Sequence, residues 1–100
     1  MHIISKPKLR EFWEKFSEAK LPLENWFRVV SKADWNTFAD VKTTFRSADL
    51  FGDCVVFNIG GNKYRLITKI RYRTKKVFVR FVLTHSEYDA NKWKNDCNSS

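Results

Sequence analysis

The sequence predicts an α+β domain with helices in its first half, a β-meander in its second and a short helix near its end. Three observations carry that reading. One hundred residues leave room for one domain. The apolar positions recur at helical spacing up to about residue 45 and alternate from residue 54 onward. Core-forming aromatics are abundant (four Trp, nine Phe, three Tyr), whereas Gly and Pro number only three and two. That composition excludes a disordered or fibrous chain.

His2 to Ser5 reads as a short extended piece. Leu9, Phe12, Trp13 and Phe16 then fall on one face of a helix, with Pro7 in the first turn, where its missing N–H costs nothing. Pro22 is expected to open a second helix whose apolar face is Leu23, Trp26, Phe27 and Val30. A third helix is expected over Thr37 to Thr44, with Asn36 as cap and Phe38, Val41 and Phe45 inward. Residues 47–53 read as a loop. Val55, Val56, Phe57 and Ile59 make a strand ending at the tight-turn signal Gly60-Gly61-Asn62. In the next strand Tyr64, Leu66, Thr68 and Ile70 share one face and Arg65, Ile67, Lys69 and Arg71 the other. The last strand places Val77, Val79, Phe81 and Leu83 together, against Phe78, Arg80 and Val82. Thr84-His85-Ser86-Glu87 has capping-box spacing and predicts a short helix. The domain is assigned residues 1–95, and 96–100 are expected to be a polar, frayed tail.

Two cysteines are too few for a disulfide framework and show no C-x-x-C spacing. Cys54 reads as a small core residue and Cys97 as part of the tail, which favours a reducing compartment. No apolar stretch has the length of a signal peptide or a membrane span, so a cytoplasmic protein with no membrane partner is expected.

Charge narrows the function. Nineteen Lys and Arg stand against 11 Asp and Glu, a net of +8, and such an excess favours polyanionic partners. The excess sits in the second half. Between Asn62 and Arg80 there are eight basic residues (Lys63, Arg65, Lys69, Arg71, Arg73, Lys75, Lys76 and Arg80) and no acidic one. Alternation aims Lys63, Arg65, Lys69 and Arg71 to one side, and neighbouring strands bring Arg65 and Arg80 within reach of one another. A charge run is ordinarily a solvated face, but one with no interleaved carboxylate is suited to phosphates.

The sheet delivers the chain to His85, followed by Tyr88. Histidine alone has an unperturbed pKa close to neutrality, about 6.5. An imidazole at the exit of a cationic strand pair is therefore a candidate for proton transfer. Its bland alternative is a satisfied ring at a strand end, and that of Tyr88 is core packing. His and Cys pairs at zinc spacing are missing, as are a phosphate-binding glycine loop and a nucleophile elbow. No metal or other cofactor is expected.

The segments Val56-Phe57-Asn58-Ile59-Gly60-Gly61-Asn62-Lys63-Tyr64-Arg65 and Leu83-Thr84-His85-Ser86-Glu87-Tyr88-Asp89 resemble the HigB family of toxins from bacterial type II toxin–antitoxin systems. Arg10-Glu11-Phe12-Trp13 and Trp35 to Lys42 are similar to that family too. The likeness departs at Arg46-Ser47, where a proline is expected. It implies a RelE-like fold, with N-terminal helices packed on a small, mainly antiparallel sheet. It also implies an mRNA interferase, an endoribonuclease that cuts mRNA, often on the ribosome, and a cognate antitoxin of the helix-turn-helix HigA type. Matched to metal-free RNA cleavage, His85, Arg65, Arg80 and Tyr88 become the catalytic candidates. Asn62, Lys63, Lys69, Arg71 and Arg73 become the RNA-binding ones. Two other readings stay open: a basic sheet that binds RNA or DNA without cutting it, and a basic face that serves only an acidic protein partner.

Overall fold

In the computed structural model, which describes residues 1–97, the change of apolar period falls where helices give way to sheet. The order is β1 (His2–Ile4), α1 (Lys6–Lys15), a 3-10 turn (Ser17–Ala19), α2 (Lys20–Lys32), α3 (Phe38–Thr44), β2 (Asp49–Phe51), β3 (Cys54–Ile59), β4 (Tyr64–Arg71), β5 (Lys76–Thr84), α4 (His85–Asp89) and a 3-10 helix (Lys92–Cys97). The five strands form one sheet ordered β1-β5-β4-β3-β2. Only β1 runs parallel to its neighbour. The architecture is α+β with a mainly antiparallel sheet, consistent with a RelE-like fold. No helix among the described residues is long and apolar enough to cross a membrane.

One face of the sheet carries the helices. Leu9, Leu23, Trp26, Val30 and Val41 are fully buried against Val55, Phe57, Leu66 and Val77. The helical stripes of the sequence thus meet one face of the alternating strands, as amphipathic helices over a sheet must. Thr68 is the buried polar side chain of this layer, and its hydroxyl donates to the Val55 carbonyl at 2.9 Å.

Boundaries moved by small amounts, each for a local reason. The 3-10 turn runs straight into α2, so the helix starts at Lys20 and Pro22 is its third residue, still inside the first turn. Thr37, not Asn36, precedes α3. The Asp40 carboxylate accepts the N–H groups of both residues, at 2.8 Å from Asn36 and 3.2 Å from Thr37. Within the expected loop 47–53, Asp49–Phe51 pairs antiparallel with Val56–Cys54 as an edge strand.

Three sequence expectations are corrected in β5 and beyond. Ile67 pairs with Phe81 but Thr68 pairs with Val79, which leaves Arg80 as the extra residue of a β-bulge. The bulge reverses the parity of β5, so Val77 and Val79 pack under the helices while Phe81 and Leu83 turn to the opposite face. On that second face the chain does not fray after Asn95. Residues 92–97 form the 3-10 helix, and Trp93 and Cys97 are buried against Cys54, Val56 and Ile67. Cys54 and Cys97 are joined as a disulfide, contrary to the expected pair of separate thiols. Residues 98–100 of the expected tail lie outside the described residues. Because this segment covers β3 from behind, Cys54-Val55-Val56-Phe57 is buried on both faces, which explains its unbroken apolar run.

Candidate functional site

β5 ends where Thr84 pairs with Tyr64, and the chain turns directly into α4. The expected capping box is present. The Thr84 hydroxyl accepts from the Glu87 N–H at 3.2 Å, and the Glu87 carboxylate accepts from the Thr84 N–H at 2.9 Å. This reciprocal pair fixes the first residue of the helix, His85, at the rim of the sheet. The His85 side chain is 54% exposed, and its Nδ1 lies 3.0 Å from Oδ2 of Asp89. An N–H at Nδ1 donated to that carboxylate leaves Nε2 free to accept a proton. Asp89 is not among the residues singled out from the sequence, although its i, i+4 spacing from His85 is a signal for this contact.

Arg65, on β4, points to the face opposite the helices. Its guanidinium stacks over the Tyr88 ring at 5.0 Å, and its Nη1 donates to the carbonyls of Asn62 and Tyr64 at 3.0 and 3.3 Å. Tyr88 is held from its other side by Trp93, whose ring is parallel to within 12° at 5.0 Å. The Trp93 Nε1–H donates to the Tyr88 carbonyl at 2.9 Å. Arg65, Tyr88 and His85 are thereby gathered at one end of the sheet, on α4 and the strand beside it.

Arg80 is not part of that group. Arg65 pairs with Leu83, three residues along β5 from Arg80, which at strand spacing separates the two by about 10 Å. The bulge turns the Arg80 side chain toward the C-terminal 3-10 helix. There Nε and Nη2 donate to the two carboxylate oxygens of Asp96 at 2.8 and 2.9 Å. This fork-to-fork pair raises the pKa of Arg80 and holds the Asp96 carboxyl below its usual range. In this structure Arg80 and Arg65 thus engage different partners, Asp96 and Tyr88.

The other basic candidates divide in the same way. Lys69 sits beside Asp96 and pairs with Asp53 at 3.3 Å. Arg71 packs its guanidinium over the Phe78 ring at 5.5 Å. Arg73 and Asn62 are exposed in the turns at the two ends of β4. Lys63 does not join the face as expected. It lies in the turn before β4 and reaches Glu18 on the helical side at 2.9 Å, and this hydrogen-bonded pair raises its pKa. Lys75, at the opposite hairpin, is likewise tied to the helical side, through Asp34 at 2.8 Å and Asn36 at 2.7 Å. Among the described residues Arg65, Arg71 and Arg73 form no ion pair. With Lys76, also exposed and in no ion pair among the described residues, they are cations free to meet a polyanion. No group of three His, Cys, Asp or Glu side chains among the described residues could hold a metal ion.

Residues 19–91 match the HigB toxin family, described as the RelE-like toxic component of a toxin–antitoxin system. The chain belongs to this family. Among its relatives is the mRNA interferase HigB of Escherichia coli O6:H1, 35% identical over 92 residues that cover 89% of each chain. The mRNA interferase toxin HigB of Escherichia coli K12 and the mRNA interferase HigB of Shigella flexneri are each 32% identical, over 89% of this chain and 88% of theirs. The family match takes in Arg65, Arg80 and the whole of α4. It stops at Asn91, before the segment that supplies Trp93, Asp96 and Cys97.

Proposed function

We propose that this chain is the toxin of a toxin–antitoxin pair and acts as an endoribonuclease on mRNA, with His85 as its proton-transfer group. The observation that carries the reading is α4: a capped helix that presents an exposed imidazole, oriented by Asp89, beside a guanidinium with no acidic partner. The names of the relatives supply the substrate class, mRNA.

Cleavage through the neighbouring hydroxyl needs three things: a base for the 2′-OH, positive charge on the crowded phosphate, and a proton for the leaving 5′-oxygen. Nε2 of His85 takes the 2′-proton. The 2′-oxygen then bonds to phosphorus as the P–O5′ bond breaks, and the leaving 5′-oxygen takes a proton from water, which gives a 2′,3′-cyclic phosphate and a 5′-hydroxyl. Arg65 stabilises the charge, and Tyr88, clamped between Arg65 and Trp93, orients the substrate. Arg71, Arg73 and Asn62 contact the strand on either side, and Lys69 and Arg80 form a more distant phosphate position. No metal enters the scheme. Messenger RNA, free or on the ribosome, is the target, and a helix-turn-helix antitoxin of HigA type, encoded beside the toxin, is the partner that silences it.

Primer-extension maps of transcripts after induced expression test this. Wild type should give discrete ends. His85→Ala should reduce them by about 10²- to 10⁴-fold, the usual worth of a general base, while the folded protein still binds RNA. Cleavage by purified protein should survive EDTA. Undiminished cutting by the His85 variant would overturn the assignment. RNA binding without cutting in wild type would leave the alternative of a basic sheet that only holds nucleic acid.

A further inference from the structure

We propose that the C-terminal 3-10 helix is a redox-controlled latch, which fills a phosphate position of the cationic face with the chain's own Asp96 carboxylate. The inference rests on the RNA-cutting reading above and adds a regulation to it. Asp96 engages Arg80 through two parallel hydrogen bonds, at 2.8 and 2.9 Å. A guanidinium offers that same geometry to a phosphate. Lys69 Nζ lies 4.0 Å from the same Asp96 oxygen. A groove of about 430 Å³ opens beside them, bordered by Asp53, Lys69, Arg71, Phe78 and Arg80. The carboxylate thus stands where two cations converge on space wide enough for part of a nucleotide.

The disulfide holds it there. Cys97 follows Asp96 directly and is bonded to Cys54, which pairs across the β3–β4 ladder with Lys69 itself. The Cys97 carbonyl also accepts from the Asp53 N–H at 3.1 Å. Trp93, the other buried anchor of the segment, lies three residues before Asp96. When the S–S bond is intact, Asp96 is pinned between two fixed points. Reduction by two small thiols of the glutathione class, or by one dithiol, supplies two electrons and two protons. The S–S bond breaks, two protein thiols form, and the reductant leaves as its own disulfide. Asp96 is then held by non-covalent contacts alone: its partly exposed pair with Arg80, the Asp53 N–H bond to the Cys97 carbonyl and the burial of Trp93. An RNA strand offers Arg80 and Lys69 a run of linked phosphates, whose binding also releases counterions, in place of one carboxylate. Reduction opens the face and oxidation closes it.

The test measures binding of a 2′-O-methyl RNA oligonucleotide, which cannot be cut, together with cleavage of the unmodified RNA. The proteins are wild type oxidised, wild type after dithiothreitol, Cys97→Ser and Asp96→Asn. The last three should bind about tenfold more tightly than oxidised wild type, the effect of one added charge-assisted contact. Their log K against log salt slope should be steeper by about 0.7 for each phosphate gained. Asp96→Asn keeps its disulfide and should have lost most of its response to dithiothreitol. Equal binding by wild type in both redox states, or no gain in Asp96→Asn, overturns the latch while leaving the nuclease reading intact. Failure of every form to bind or cut RNA overturns both.

Discussion

Nδ1 of His85 has a carboxylate oxygen at 3.0 Å, and that contact decides which ring nitrogen faces substrate. Asp89 acts on the imidazole and not on RNA, so its replacement should separate orientation from binding. Asp89→Asn is expected to slow cleavage by about 10²-fold, the cost of misplacing a reacting group by an ångström, with RNA affinity nearly unchanged. Long-range ¹H–¹⁵N spectra of His85 should show the Nδ1–H tautomer losing its dominance in the variant. An unaltered tautomer ratio would mean that the Asp89 contact is incidental. Residue identity in this region was legible in the sequence, because a histidine after a capping threonine at the end of a cationic strand stands out without coordinates. Asp96 was not legible. Its partner Arg80 is 16 residues away on a strand, and nothing local to Asn95-Asp96-Cys97 signals that the carboxylate is engaged.

Among the elements, α4 and the C-terminal 3-10 helix are short and depend on specific contacts. Thr84→Ala removes one half of the capping box and should cost about 1 kcal/mol of stability by chemical denaturation. Its effect on cleavage should be larger than that loss explains, since the cap positions His85. The 3-10 helix has an acid-sensitive contact. Arg80 holds the Asp96 carboxyl below its ordinary value of 3.8, so in the acid range the unfolded chain binds the extra proton. The stabilisation is complete above about pH 4 and fades as pH falls through the lower, folded value. With both side chains partly exposed it amounts to at most about 1 kcal/mol. Comparison of wild type with Asp96→Asn should show a larger difference at pH 7 than at pH 3. Elements whose cause is local were readable: the helical stripes, the Gly60-Gly61 turn, the alternation of β4 and the capping box. Those whose cause is remote were not. The edge strand Asp49–Phe51 exists because β3 lies beside it. The bulge at Arg80 interrupts a run, Val77 to Leu83, that is apolar on both faces, so no pattern in the sequence marks the change of parity. The disulfide spans 43 residues, so the segment that it anchors looked like a tail.

At the scale of the whole molecule, a net charge of +8 is less informative than its division between two faces. The hairpin ends tie their lysines to the helical layer, Lys63 to Glu18 and Lys75 to Asp34. Arg65 and Arg71 emerge on the opposite face, where they stack on Tyr88 and Phe78 and meet no carboxylate among the described residues. Pairing matters because counterion release follows phosphate contacts, not formal charge. A cation already neutralised by its own protein releases little when RNA arrives. Arg65→Ala and Arg71→Ala should each flatten the log K against log salt slope for a single-stranded RNA by about 0.7. Lys63→Ala and Lys75→Ala remove the same formal charge yet should leave that slope in place. The Lys75 change should register instead as a lower melting temperature, because it also breaks the bonds to Trp35 and Asn36 that fasten the β4–β5 hairpin to the helical layer. If all four substitutions flatten the slope equally, RNA responds to the overall field and the carboxylate-free face has no special standing. If only the two arginines do so, the strand lies across β4 on the side away from the helices and runs toward His85.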